Sequence, residues 1–373
     1  MVSRAAQPRL EIVNTARHAA NKPCRPCSRP VNEFHPAPSV WNGGGEQPHN
    51  INMKKHLSLL LLSLAVAASA AEPKKVLVVT VTTGFRHSSI ATAEKIITKI
   101  GADSGAFTVD FVQQPKSVNV PQKPNPPKKP ADLKPEADDV AKAKYAADLA
   151  KFAAAETKYK ADLEKFIADE PRIKALREEA AGGMAGQMAK LSLENLKKYD
   201  AVIFANTTGD LALPDKEGFI DWVKAGHGFA AMHSGSDTFH GFRPYIDMLG
   251  GEFAGHGSQE VVELMVKDAK HPATKDFEKS WNINGKREEM YLFKSYSPTN
   301  VHELLVMDKH PNSKAAGHYA VSWCKEFGKG KVFYTSLGHN EYVWEMAEYQ
   351  KHILGGIKWV LGLEKGDATL ETK

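Results

Sequence analysis

The chain has 373 residues, with 49 Lys and Arg, 44 Asp and Glu and three cysteines. Eight of the basic and three of the acidic residues lie in residues 1–71, so the formal charge of +5 belongs to that stretch and the remainder balances at 41 of each sign. A balanced main part lends no support to a nucleic-acid or anionic-membrane partner, which needs a concentrated basic surface, and Cys324 alone beyond residue 71 excludes an internal disulfide framework.

In chain order the first expected element is a signal peptide at residues 53–71, starting from Met53. Lys54 and Lys55 form a short basic head, residues 57–70 an apolar run too short to span a bilayer, and Ala68-Ser69-Ala70 a set of small side chains for cleavage after Ala70 or Ala71. This predicts an exported, periplasmic or secreted protein with no stable membrane span. Residues 1–52, rich in Pro, Arg and Asn without apolar periodicity, read as an upstream or disordered extension, and their lone Cys24-x-x-Cys27 lacks the second pair a zinc site needs.

The main domain is expected at residues 72–364, with a C-terminal tail at 365–373. Residues 76–81 are a continuous β-branched run of the kind a doubly covered parallel strand requires, and a helix at 88–100 and a strand at 107–112 follow. Residues 116–135 are dense in Pro and Lys, which excludes a ladder or a helix interior and reads as a linker. Residues 137–180 form a helical insertion with an internal near-repeat offset by fourteen residues. That offset places Tyr145, Leu149, Phe152, Tyr159, Leu163 and Phe166 on one stripe. The stripe suits a helical arm packed on the body or on a second copy of the chain, or else a mostly solvated helix.

The α/β pattern then resumes with helices at 193–198 and 214–225 and strands at 201–206 and 228–232. Further strands are expected at 261–266, 301–307, 319–323 and 331–335, and a closing helix at 342–361. Alternation of this kind gives one α/β domain with a doubly wound, mostly parallel sheet. In such a sheet ligands bind beyond the carboxyl ends of the strands. Those ends read Gly84-Phe85-Arg86-His87-Ser88, Asn206-Thr207-Thr208-Gly209-Asp210, His233-Ser234-Gly235-Ser236-Asp237 and Gly338-His339-Asn340. Any one of these histidines alone reads as a cap or a core residue; several at one edge read as a site.

The segments at 84–88, 194–200, 206–210, 222–226, 232–237, 249–256, 270–274, 288–291 and 328–339 resemble, in order and number, the ThuA-like (trehalose utilisation) family. The resemblance covers about residues 76–362 apart from the linker and the insertion. It implies a class I glutamine amidotransferase-like, flavodoxin-like fold and a role in trehalose-type or keto-sugar catabolism, with a small carbohydrate as partner. In amidotransferases a cysteine occupies a sharp strand-to-helix turn, whereas the equivalent turn here reads Ala231-Met232-His233-Ser234-Gly235. An imidazole cannot form the thioester intermediate, so glutaminase activity is excluded. Cys324, between Trp323 and Lys325, reads as a small core residue.

His233 is left with two chemistries, general acid/base catalysis or ligation of a divalent metal such as zinc together with His87, His256 and His339. The expected catalytic set is His233, Asp237, His339 and Glu289. The family motif carries an Asp-Glu pair where this chain has Glu288-Glu289, which puts the role on Glu289. The expected substrate-binding set is Gly84, Phe85, Arg86, His87, Asn206, Thr207, Asp210 and His256. The rival reading is a non-catalytic sugar-binding or scaffold protein, with Phe85, Phe239, Tyr291 and Trp344 as aromatic platforms.

Overall fold

The structure is a computed structural model describing residues 72–370. The expected signal peptide, the extension before it and the last three residues of the tail lie outside the described residues.

The first apolar run becomes strand β1 (Lys74–Val79), followed by helix α1 (Ile90–Ser104) and strand β2 (Phe107–Val112). Helices α2 (Asp139–Ala168), α3 (Glu170–Met188) and α4 (Leu193–Leu196) lead to β3 (Ala201–Ala205), α5 (Lys216–Lys224), β4 (Gly228–Met232) and α6 (Arg243–Leu249). Short strands β5 (Glu252–His256), β6 (Leu264–Val266), β7 (Ser280–Trp281) and β8 (Tyr291–Lys294) come next. The longer β9 (His302–Lys309), β10 (Ala316–Phe327) and β11 (Gly330–Thr335), then α7 (Glu341–Glu345) and α8 (Ala347–Val360), complete the order.

The described residues form a nine-stranded sheet in the order β2-β1-β3-β4-β11-β10-β9-β6-β7, and β5 pairs separately with β8. The first five strands are parallel neighbours. Every residue of β3 and β4 is buried, as strands covered on both faces require. Alternate residues feed two separate cores. Val76, Val78 and Ile203 pack with α1 and α8 on one face, while Leu77, Val79, Val202 and Phe204 pack with α5 and α6 on the other. At roughly 1.5–3 kcal/mol for each fully buried Val, Leu or Phe, these two layers hold the strand ends in fixed register. Beyond β11 the sheet continues with antiparallel pairs. Gly328 makes the tight return from β10 to β11 at φ 63°, where an added Cβ would lie 2.5 Å from Lys224.

Two expected elements differ in detail. The closing helix is broken at Met346, whose extended backbone (φ −70°, ψ 132°) separates α7 from α8. The break lets Trp344 and Tyr349 both reach back to the loop after β11, as described below. The Pro-rich segment at 116–135 is not a free linker. Val118, Pro121, Pro124, Pro127 and Pro130 are half-buried at every third position, the period of polyproline II. The backbone N–H of Gln113 donates to Gln187 (3.2 Å), Pro115 lies against Gly183, and the Tyr145 hydroxyl donates to Asp132 (3.1 Å). At ~3.1 Å per residue outward from 113 to 132 and ~1.5 Å per helical residue back from 145 to 187, both paths are roughly 60 Å long. The expected stripe from Tyr145 to Phe166 is the half-buried side of α2, which has no fully buried residue. The Tyr145–Asp132 bond ties this side of α2 to the proline segment.

Candidate functional site

β4 ends at Met232, and the chain turns at once into a 3-10 segment, His233–Asp237. His233 adopts φ 48°, a left-handed conformation that costs a non-glycine residue about 1–2 kcal/mol. Gly235 permits the close return, since a Cβ there would lie 2.7 Å from that of Ala231. The strain persists because His233 is held at both ends. Its Nδ1 donates to the Ser336 carbonyl at 2.8 Å, and its own carbonyl accepts from the Tyr334 hydroxyl at 2.8 Å.

The Nε2 of His233 is the centre of a cluster. It lies 3.2 Å from His87 Nε2 at the end of β1, 3.3 Å from His339 Nδ1 after β11, and 3.6 Å from Glu289 Oε2 ahead of β8. The Tyr291 hydroxyl is 3.1 Å from the same atom, and Glu289 Oε2 is 3.1 Å from His339 Nδ1. One ligand-capable atom from each of His87, His233, Glu289 and His339 falls within 4.8 Å of all the others. The parallel strands β1, β4 and β11 bring the three histidine-bearing turns to one edge of the sheet; the small β5/β8 sheet delivers the carboxylate.

Burial sets the charge states. His233 is held well below its ordinary pKa, first by burial and then by the neighbouring His87, and His87 is lowered to about 4 by burial and by His339. Burial acts against protonation of His339 too, yet its pKa is raised because Glu289 faces it.

Glu288 does a different job from Glu289. It accepts from the backbone N–H groups of Gly338 (2.9 Å) and His339 (2.7 Å) and from the Asn340 side chain (2.7 Å), clamping the His339 loop. Burial pushes its carboxyl up to about 7 despite those donors. Trp344 and Tyr349 hold the same loop by donating to the carbonyls of Gly338 and Leu337, both at 2.8 Å. Gly338 sits at φ 114°, where a side chain would meet both rings.

The other expected residues divide. Phe85 stands 68% exposed beside His87, with ring centroids 4.9 Å apart. His256 reaches Glu289 Oε1 at 3.1 Å and so lies behind the carboxylate rather than among the four convergent groups. Asp237 turns to His240 (2.5 Å), whose pKa rises against its burial because Asp237 and Glu252 flank it. Asn206 donates to the Gly338 carbonyl and Ser89, Thr207 meets Thr238, and Arg86 donates to the Thr80 carbonyl. Gly84 packs on Thr208, and Asp210 pairs with Lys216 at the surface. These five shape the strand ends without joining the cluster. Phe239, Tyr291 and Trp344 are buried, which leaves Phe85 as the exposed ring of the four aromatic platforms. Cys324 is buried 3.6 Å from His271, with its thiol pushed well up by burial, so it offers no thiolate. The cleft lined by Val261, Met265, Met307 and His310 gathers no comparable set of ligand-capable groups among the described residues.

Sequence reasoning had no signal for Ser336 and Tyr334, which fix His233 through a backbone carbonyl and a hydroxyl. Tyr291 was legible as an aromatic near the Glu-Glu pair and as a sugar platform, but not as a hydroxyl on His233 Nε2.

The structure is similar to a ThuA-like protein from Parabacteroides merdae, at 16% identity over 81% of this chain and 92% of that one, with a TM-score of 0.49. It is similar also to a ThuA-like protein from Bacteroides uniformis, at 16% identity over 79% and 94%, with a TM-score of 0.48. No curated protein matches the chain. The family model described as ThuA, trehalose utilisation, matches residues 172–360, a span that holds His233, Glu289 and His339 but not His87. That span is just over half of the sequence, and the chain belongs to the ThuA family.

Proposed function

We propose that this chain is an exported protein that acts on a small carbohydrate of the trehalose or keto-sugar kind at the His233 cluster, without glutaminase activity. The observation that carries the reading is His233 itself. It sits in a strained turn at the end of a central parallel strand, and its ring meets a second histidine, a third histidine and a carboxylate; the amidotransferase-like fold implied by the family resemblance would carry its nucleophile at such a turn. The family's description as trehalose utilisation supports the substrate class.

The arrangement supplies an acid and a base side by side. His233 donates from Nδ1 to Ser336, which leaves Nε2 as a lone pair suited to accept a proton from a sugar hydroxyl or from the carbon next to a keto group. His339 and Glu289 share a proton at Nδ1 and can return it to a leaving or carbonyl oxygen. The exposed Phe85 ring is placed to stack on an apolar sugar face at the mouth.

The test is to incubate the purified mature protein with a panel of disaccharides and their keto derivatives, following product formation and binding heat on one sample. Turnover lost in His233→Ala supports the reading. Binding without turnover would make this a sugar-binding module, and neither binding nor turnover across the panel would remove the carbohydrate assignment.

A further inference from the structure

We infer that His87, His233, His339 and Glu289 together hold a divalent transition-metal ion of the zinc kind. The inference rests on the His233 cluster being the functional site, but not on the sugar; with the ion held, His233 Nε2 is a ligand, and only in the ion-free protein is the same lone pair open to a proton.

The first argument is the direction of the lone pairs. A backbone carbonyl only accepts, so the 2.8 Å contact to Ser336 puts the His233 proton on Nδ1 and leaves Nε2 bare. That bare nitrogen, with no solvent exposure, points at His87 Nε2, His339 Nδ1 and a carboxylate oxygen at 3.2–3.6 Å. The Tyr291 hydroxyl can donate one hydrogen bond to it, which leaves the other three acceptor-rich groups crowded round the same point. A cation resolves the crowding for all of them at once.

The second argument is distance. Four ligands at about 2.0–2.1 Å from a tetrahedral zinc are separated from one another by roughly 3.3 Å. The separations His233–His87, His233–His339, His233–Glu289 and His339–Glu289 are 3.2, 3.3, 3.6 and 3.1 Å, and the two other pairs, His87–His339 and His87–Glu289, lie within 4.8 Å, so the ion would draw His87 inward. Three imidazoles and one carboxylate are a donor set that zinc and its first-row neighbours favour over magnesium or calcium.

The third argument is the shell behind the ligands. The Ser336 carbonyl orients His233, Ser234 Oγ lies 3.3 Å from His87 Nδ1, His256 holds the far oxygen of Glu289 at 3.1 Å, and Glu288 clamps the backbone of His339. Outer partners of this kind fix tautomer and ring direction in metal sites. His339 is partly exposed, so a water or a sugar oxygen has an approach to a fifth position.

The experiment strips the purified full chain with a chelator and titrates it with cobalt(II) and with zinc(II), with no sugar present. The inference expects one ion per chain and intense cobalt d–d bands of a four- or five-coordinate N,O site. His339→Ala and Glu289→Gln should each weaken cobalt binding about 100-fold, and His256→Ala about tenfold. These variants lie on the partly open side of the cluster, and circular dichroism confirms that each is folded. A folded wild type that takes up neither ion overturns the inference, as does uptake that the ligand variants leave unchanged. Stoichiometric uptake without turnover on any sugar sustains the metal site and removes the carbohydrate reading alone.

Discussion

The Ser336 carbonyl accepts from His233 Nδ1 at 2.8 Å, and this one bond decides which nitrogen of the cluster's central ring is free to do chemistry. Replacing His233 by Ala is expected to lower turnover at least about 100-fold, the range for removal of a positioned acid/base group. Stability should fall by about 1–3 kcal/mol, because the fully buried imidazole leaves the Ser336 carbonyl without its donor and alanine tolerates the φ of 48° poorly. Thermal unfolding and sugar-binding calorimetry on one sample check both. A variant that melts early yet turns over its sugar normally would assign His233 to structure.

Glu288 and Glu289 are neighbours in sequence with opposite duties, and mutation should separate them. Glu288→Ala removes the acceptor from the Gly338 and His339 N–H groups inside a buried loop and should cost about 2–3 kcal/mol of stability. Glu289→Gln leaves that clamp intact, so it should unfold near the wild-type temperature while losing activity. Equal melting of the two variants would contradict the division.

Acid should destabilise the fold through buried neutral histidines. His352 donates from Nδ1 to the Ala273 carbonyl, is buried completely, and has its pKa lowered to about 4 by that burial. The unfolded chain takes up this proton near pH 6.5 and the folded one only near 4. The contribution is therefore complete above pH 6.5 and is lost as pH falls from 6.5 toward 4, reaching about 3 kcal/mol below that window. Urea unfolding from pH 7.5 to 4.5 should show the slope. In His352→Gln the slope should shrink by about one proton, and an unchanged slope would place the titration elsewhere.

The parallel half of the sheet was legible because residues 76–79, 201–205 and 228–232 carry no polar side chain, a pattern that a doubly covered strand sustains. Strands β5 and β8 were not legible. Glu252-Phe-Ala-Gly-His and Tyr291-Leu-Phe-Lys are too short and too mixed to show a period, although the first lay within the motif at 249–256 and Tyr291 ended the one at 288–291. His87, His233 and His339 could be placed at one sheet edge from strand order alone, but their ring directions could not. Those depend on positive φ at His233 and Gly338 and on acceptors such as the Ser336 carbonyl, which any residue would supply. The choice of Glu289 over His256 as the fourth convergent group depends on a two-stranded pairing across 35 residues of chain, beyond the reach of local pattern.

Export should remove the chain up to Ala70 or Ala71, since the basic, apolar and small segments from Met53 follow one another in the order a signal peptidase reads. N-terminal sequencing of protein recovered from the periplasm or medium checks the cut. A cytoplasmic product that begins at Met1 would remove the export proposal.

Deleting residues 116–179 and closing the gap with about four Gly/Ser residues should leave the sheet and the histidine cluster intact. The reason is geometric. Pro115 already lies against Gly183, so the two cut ends are within a few residues' reach. Met184, Met188 and Leu191, which pack on the core beneath β1 and β3, remain in the shortened chain. The proline segment and α2 are lost together, so neither exposes the face the other covers, and Tyr145, Leu149 and Phe152 leave no cavity behind because none is buried in the body. Thermal unfolding of the shortened chain is expected to stay within a few degrees of the full one, with cobalt binding at the cluster unchanged. Its mass in solution answers a separate question. A full chain that dimerises while the shortened one does not would give the arm a second copy as partner, through a face other than the proline-covered stripe. If the shortened chain fails to fold, the arm is part of the body's core, and its period-three contact with the prolines is not the whole of its packing.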